Sequence, residues 1–190
     1  MGGGVGLSIH SPIRIATERT LFAMPETGIG LFPDVGATWA LTRLRAGASV
    51  GLLLGLTGER LGPADCLFAG VATHFCPSER LPALVEKLRE VEGLQQAEAA
   101  IKEVAQGAQP DDAKAQLEAP RVRRRQKCSH EANLASIQQC YSEPSTSAEE
   151  VVERLQMTKG AWAEKSLKAL KSKSPLSVKA GVNDSQSLWP

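Results

Sequence analysis

Two carboxylates, Glu26 and Asp34, stand eight residues apart in "FAMPETGIGLFPDVGATWAL", a run that is otherwise apolar and punctuated by Gly and Pro. An ionised carboxylate is costly to bury without a partner, so two of them here are candidates for chemistry. One could act as nucleophile or general base. The second could hold a proton or orient a substrate, with the two proton affinities pushed apart. A loop that follows a strand holds such side chains firmly and leaves their tips reachable. The same residues also have a structural reading, in which Glu26 caps a turn and Asp34 caps a helix beginning near Val35. Spacing alone leans to that reading, and it does not exclude catalysis.

Upstream, Gly2, Gly3 and Gly4 can take dihedrals closed to other residues. Residues 5–10 are predicted to open a short helix, whose first N–H groups lack intrahelical acceptors and attract negative charge. A peptide N–H at Gly3 or Gly4 could therefore face an oxyanion. A triple glycine taken alone is equally explained by a flexible terminus.

The elements that must position these groups are short. Residues 13–16 and 20–23 read as two strands around a polar "TER" turn, followed by a Pro/Gly loop over 25–36. Helices are predicted over 38–44, 48–56, from Pro63 to a stop at Gly70, and over 81–88, with a strand at "VATHF". This alternation indicates α/β organisation through residue 88. From residue 89 to 129 the chain turns polar and weakly patterned, a surface helical excursion or a poorly ordered segment. Residues 130–178 regain helical spacing: Ser147 and Glu150 form a capping box, and Trp162, Leu167 and Leu170 mark a buried face. The tail, 179–190, shows no periodicity.

The bulk properties set limits. The chain has 190 residues, enough for one real core, with a net charge of +1, so no global field points to nucleic acid or membrane. No apolar run is long enough to span a bilayer. Cys66, Cys76, Cys128 and Cys140 lack metal-ligand spacing and read as reduced thiols of an intracellular protein. No metal site is expected. The basic run "RVRRRQK" reads as a solvated helix face. His10, His74 and His130 look isolated, His74 being packed or half-buried in its strand. Trp39 and Trp162 are expected in the core, and Trp189 in the open. No signal peptide precedes the glycines, and the sequence reads as if it begins inside a domain.

"MGGGVGLSIHSPIRIATERTLFAMPETGIGLFPDVGATWALTRL" resembles the crotonase superfamily of acyl-CoA enzymes. "LTGERLGPADCLFAGVATHFCPSERL" extends the likeness to residue 88, and within the superfamily both stretches resemble the 3-hydroxyisobutyryl-CoA hydrolases. The resemblance is weaker over 130–178, and no motif carries it over 90–127 or 180–190. It implies a partial ββα spiral followed by a helical C-terminal region, with coenzyme A entering as part of the substrate and no separate cofactor. It also implies that Gly3 supplies an oxyanion N–H, that Glu26 is the principal catalytic carboxylate, and that Asp34 is the second acid. The implied reaction is hydrolysis of an acyl-CoA thioester in valine breakdown, in mitochondria or in some organisms peroxisomes. Its implied partner is the small-molecule acyl-CoA, with self-association into a homo-oligomer left open. Enoyl-CoA hydratases carry a second glutamate at the place of Gly6, so the resemblance favours hydrolysis over hydration. Relatives have a long segment before the glycine run that supplies another oxyanion donor. Without it, the activity of this chain is left open, the alternative being a catalytically inactive fragment that acts at most as an association module, and marginal stability with apolar surface uncovered is expected.

Overall fold

The stretch Ala48–Thr57 has no polar face, and residues 50–57 are all buried. A helix apolar on all sides has to lie inside, and this one (α3) is the centre of the fold. Around it pack α2 (Ala37–Leu41), α8 (Leu134–Cys140), α10 (Ala161–Lys171) and α11 (Pro175–Ser187). Gly51 lets α2 approach closely: a Cβ there would lie 1.9 Å from the carbonyl oxygen of Leu41. The computed structural model describes residues 1–105, 129–142 and 147–187.

The remaining helices are α1 (Gly3–Ser8), α4 (Pro63–Ala69), α5 (Leu81–Arg89), α6 (Leu94–Val104), α7 (Ser129–Ala132) and α9 (Ala148–Met157). Pro63 at the first turn and Gly70 in the left-handed region bound α4 as the sequence requires. Ser147 caps α9 through the reciprocal bonds of a capping box with Glu150. Leu170 is buried, and Trp162 and Leu167 pack against the main core.

Sheet is sparser than the spacing predicts. Strands β1 (Ile15–Ala16) and β2 (His74–Phe75) pair in parallel, Ile15 with His74 and Ala16 with Phe75. Residues 20–23 form no strand; Phe22 makes a single antiparallel bridge to Leu61. In "VATHF" only His74 and Phe75 form strand, and Arg14 holds the residues ahead of them, donating from Nε to the Val71 carbonyl at 2.7 Å and from Nη2 to the Gly70 carbonyl at 2.8 Å. Cys76, Leu84 and Ile101 form a second, small core, which seats the α5–α6 hairpin against Ile13 and Ile15.

Four further expectations are corrected. The first helix opens at Gly3 rather than Val5, and α2 ends at Leu41. Trp39 is 48% exposed; the Arg43 guanidinium lies 4.7 Å from its ring centroid and the His10 ring at 5.7 Å. The helical region does not stop at residue 178, because α11 continues to Ser187. Its buried stripe is Ser177, Val178, Gly181, Val182 and Ser185, which has helical spacing but is built partly of small polar residues. The basic run 121–127, Cys128 and Trp189 lie outside the described residues. Among the described residues, no helix is long and apolar enough to cross a membrane.

Candidate active site

Glu26 opens a 3₁₀ turn, Glu26–Ile29, directly after the buried Ala23 and Met24. The turn is tied down on several sides. The Glu26 carbonyl accepts the Leu31 N–H at 3.0 Å, and the Thr27 hydroxyl donates to the Leu56 carbonyl at 3.0 Å. The Ser174 N–H donates to the Thr27 carbonyl at 3.1 Å, so the start of α11 is bonded to the turn as well. The Lys173 amine lies 3.3 Å from a Cβ placed on Gly28 and 3.6 Å from one placed on Gly58.

The Glu26 side chain is 5% exposed, and its Oε2 has no hydrogen-bond partner among the described residues. Burial raises its affinity for a proton. A hydrogen bond to its own backbone pulls the other way, and the charge of Asp34 raises it further. The charge of Asp34 thus bears on Glu26.

Asp34 is half-buried in the turn before α2. The helix is not capped by its side chain: the N-cap is Gly36, with no side-chain capping bond, and only the Asp34 backbone carbonyl serves the helix, accepting the Ala37 N–H at 2.8 Å. The capping alternative for Asp34 is therefore set aside.

Helix α1 and its N-cap lie beside Glu26 and against Val35, the neighbour of Asp34. A Cβ on Gly2 would lie 3.6 Å from Glu26 Oε1, and one on Gly6 would lie 2.6 Å from the Val35 Cβ. Gly2 is the N-cap of α1 and Gly6 lies one turn into the helix. A φ of 56° favours glycine at position 2, and the contact with Val35 requires it at position 6. That contact also leaves no room at Gly6 for a glutamate unless Val35 moves. Gly3 is the first residue of α1 and is exposed, with nothing within 4 Å of a Cβ. Its N–H belongs to the helix end that lacks intrahelical acceptors.

A cavity of about 460 Å³ lies off a different face of α1, between Gly4, Val5 and Ser8 and the β1 region from Ile13 to Ala16, and neither acid lines it. Among the described residues, no group of His, Cys, Asp and Glu could hold a metal ion.

The histidines hold one surprise. His130 is not isolated: it is buried, with Nδ1 3.0 Å from Asp65 Oδ1 and Nε2 3.3 Å from Glu59 Oε2. Lys165 completes the cluster by pairing with Glu59. Nothing local in the sequence signals it, since its members come from three separate stretches, around residues 59–65, 130 and 165. His74 is half-buried, as expected. Cys66, Cys76 and Cys140 are free and buried, and burial pushes the Cys66 thiol up to about 12.

The Enoyl-CoA hydratase/isomerase family model matches residues 1–187. The chain belongs to the enoyl-CoA hydratase/isomerase family. The match runs through residues 180–187, where the sequence motifs carried no likeness. A mouse (Mus musculus) relative, "3-hydroxyisobutyryl-CoA hydrolase, mitochondrial", is 40% identical over 179 residues, which is 94% of this chain and 43% of the relative. A Neurospora crassa relative, "Small ribosomal subunit protein mS47", is 58% identical over 91 residues, covering 48% of this chain and 18% of the relative. Among solved structures, an enoyl-CoA hydratase from Rhodobacter sphaeroides superposes with a TM-score of 0.71 at 33% identity, over 98% of this chain and 47% of that one. This family member thus spans less than half the length of the relatives it matches. Its fold is a partial crotonase-like α/β core, sparse in strand, continued by a helical region.

Proposed function

We propose that this chain carries the acid pair of an acyl-CoA thioester hydrolase, acting on 3-hydroxyisobutyryl-CoA in mitochondrial valine breakdown. The observation that carries the reading is Glu26: a buried carboxylate held on a tethered turn, with one oxygen unpartnered among the described residues and a second acid within electrostatic reach. A buried polar atom kept without a partner calls for an explanation, and a catalytic role is one. The acyl group and the setting come from the name of the mouse relative.

In this reading, water adds to the thioester carbonyl carbon while Glu26 takes its proton, or Glu26 attacks that carbon itself. The carbonyl oxygen becomes an oxyanion facing the N–H of Gly3. Collapse breaks the C–S bond, and the sulfur leaves and regains a proton; on the water route the water oxygen stays on the acyl group, and on the nucleophilic route water then cleaves the acyl-Glu26 anhydride, freeing the acid and restoring the carboxylate. Asp34 handles that proton or contacts the substrate hydroxyl. Hydration by two facing glutamates has no place here, because Val35 fills the space over Gly6.

The test is release of free thiol from 3-hydroxyisobutyryl-CoA by the purified chain and by Glu26→Gln. Turnover that the variant loses supports the hydrolase. A second reading, a non-catalytic family member that associates with partner subunits, is favoured by the likeness to a ribosomal subunit protein. No thiol release from either folded protein would select it.

A further inference from the structure

Val35 has a φ of 50°, and it is the single non-glycine among the described residues with a positive φ. A β-branched residue in the left-handed region is a true outlier, held there only when its surroundings insist. Those surroundings are on view. The Val35 side chain rests on Gly6, where a Cβ would come within 2.6 Å of Val35 Cβ and 2.7 Å of Val35 Cγ2. On one side of Asp34, Pro33 is buried, near Gly55 of α3 and Gly181 of α11. On the other side, Gly36 also has positive φ, and a Cβ there would lie 2.9 Å from His10 Nε2. Asp34 is therefore strung between two anchored neighbours, one fixed to α3 and α11 and the other to α1. Gly2, the N-cap of α1, lies beside Glu26.

We propose that Val35 is a positioning residue: its contact with Gly6 clamps the strained turn against α1 and so holds the Asp34 carboxylate toward Glu26. Val35 itself touches no reacting atom. The strain is the means, because a relaxed turn at this point would let Asp34 swing into solvent. The inference rests on reading Glu26 and Asp34 as one acid pair. It adds that their spacing is set by a valine and a glycine outside the pair.

The test needs no substrate. The titration of Glu26 is followed by ¹³C NMR of the side-chain carboxyl in the intact chain, assigned with Glu26→Gln. Asp34→Asn removes the neighbouring charge and is expected to lower the Glu26 midpoint. Val35→Gly, which permits other backbone conformations, is expected to lower it in the same direction by at least half as much. Gly6→Ala attacks the same contact from the helix and is expected to do likewise, so the test stands even where one variant fails to fold. A folded Val35→Gly or Gly6→Ala protein in which Glu26 titrates as in the native chain, while Asp34→Asn shifts it, would overturn the positioning role and leave the acid pair standing. No shift in Asp34→Asn would overturn the pair and the clamp together.

Discussion

The imidazole Nδ1 of His130 lies 3.0 Å from Asp65 Oδ1, joining residues 65 positions apart. Glu59 approaches the other ring nitrogen at 3.3 Å. Burial works against charge on His130, but its hydrogen bonds to Asp65 and Glu59 and their negative charges outweigh it, and the imidazole is raised to about 9. Glu59 is lowered to about 2: burial opposes its charge, and the hydrogen bonds and charges of His130 and Lys165 prevail. The cluster fastens α7 to α4, so it ties the helical region to the part of the chain that bears the acids.

Stability should follow that cluster with pH. A group whose folded pKa is raised stabilises fully below its unfolded value and loses that contribution as pH rises through the folded one. For His130 the loss therefore runs from about 6.5 to about 9. The depressed Glu59 contributes above its unfolded value and loses that contribution as pH falls from 4.5 towards about 2. Denaturant unfolding at several pH values should find this contribution largest between those flanks. His130→Gln should cost about 3–5 kcal/mol near pH 6, because Asp65 and Glu59 are left facing a neutral group, and should flatten the alkaline flank.

Glu26→Gln should trade stability against function. Raised folded-state proton affinity means that the fold disfavours the charged form more than the unfolded chain does, so the group's stabilising contribution is greatest at low pH and is lost as pH rises through the folded value. A neutral glutamine removes that penalty. The variant should gain about 0.5–2 kcal/mol at pH 7 while losing thiol release, and the gain should shrink in acid. Thermal unfolding at two pH values checks it; a destabilised variant would contradict the account of Glu26 as a strained acid.

Gly51→Ala tests the closest approach in the core. The added Cβ would meet the Leu41 carbonyl oxygen at 1.9 Å, and a backbone atom cannot rotate away. Destabilisation of at least about 1–3 kcal/mol is expected, read from the unfolding midpoint in urea. Gly4→Ala is the control: nothing lies within 4 Å of that Cβ, and the change should be close to neutral.

Ser147→Ala should remove one arm of the α9 capping box. The Glu150 N–H loses its acceptor at 3.2 Å, and the expected cost is about 1 kcal/mol. Amide hydrogen exchange should show it as faster exchange confined to the first turn of α9.

The sequence by itself determined what depends on near neighbours. Pro63 and Gly70 bound α4, Ser147 and Glu150 start α9, and the run from Ala48 is too apolar to lie anywhere but inside, because these outcomes turn on backbone freedom, local donors and hydropathy. It also brought Glu26 and Asp34 to notice as acids out of place in an apolar run. The tertiary structure decided what depends on residues far apart in the chain. His130 looked isolated because Glu59, Asp65 and Lys165 reach it from distant parts of the chain. The buried stripe of α11 escaped notice because it is partly Ser and Gly, whose fit against α3 is a matter of size rather than hydropathy. The glycine run read as flexibility or an oxyanion site, and only the folded chain shows Val35 pressed against Gly6 of α1. A missing side chain has no chemistry to recognise, so its purpose appears only when the atoms that occupy its space are in place.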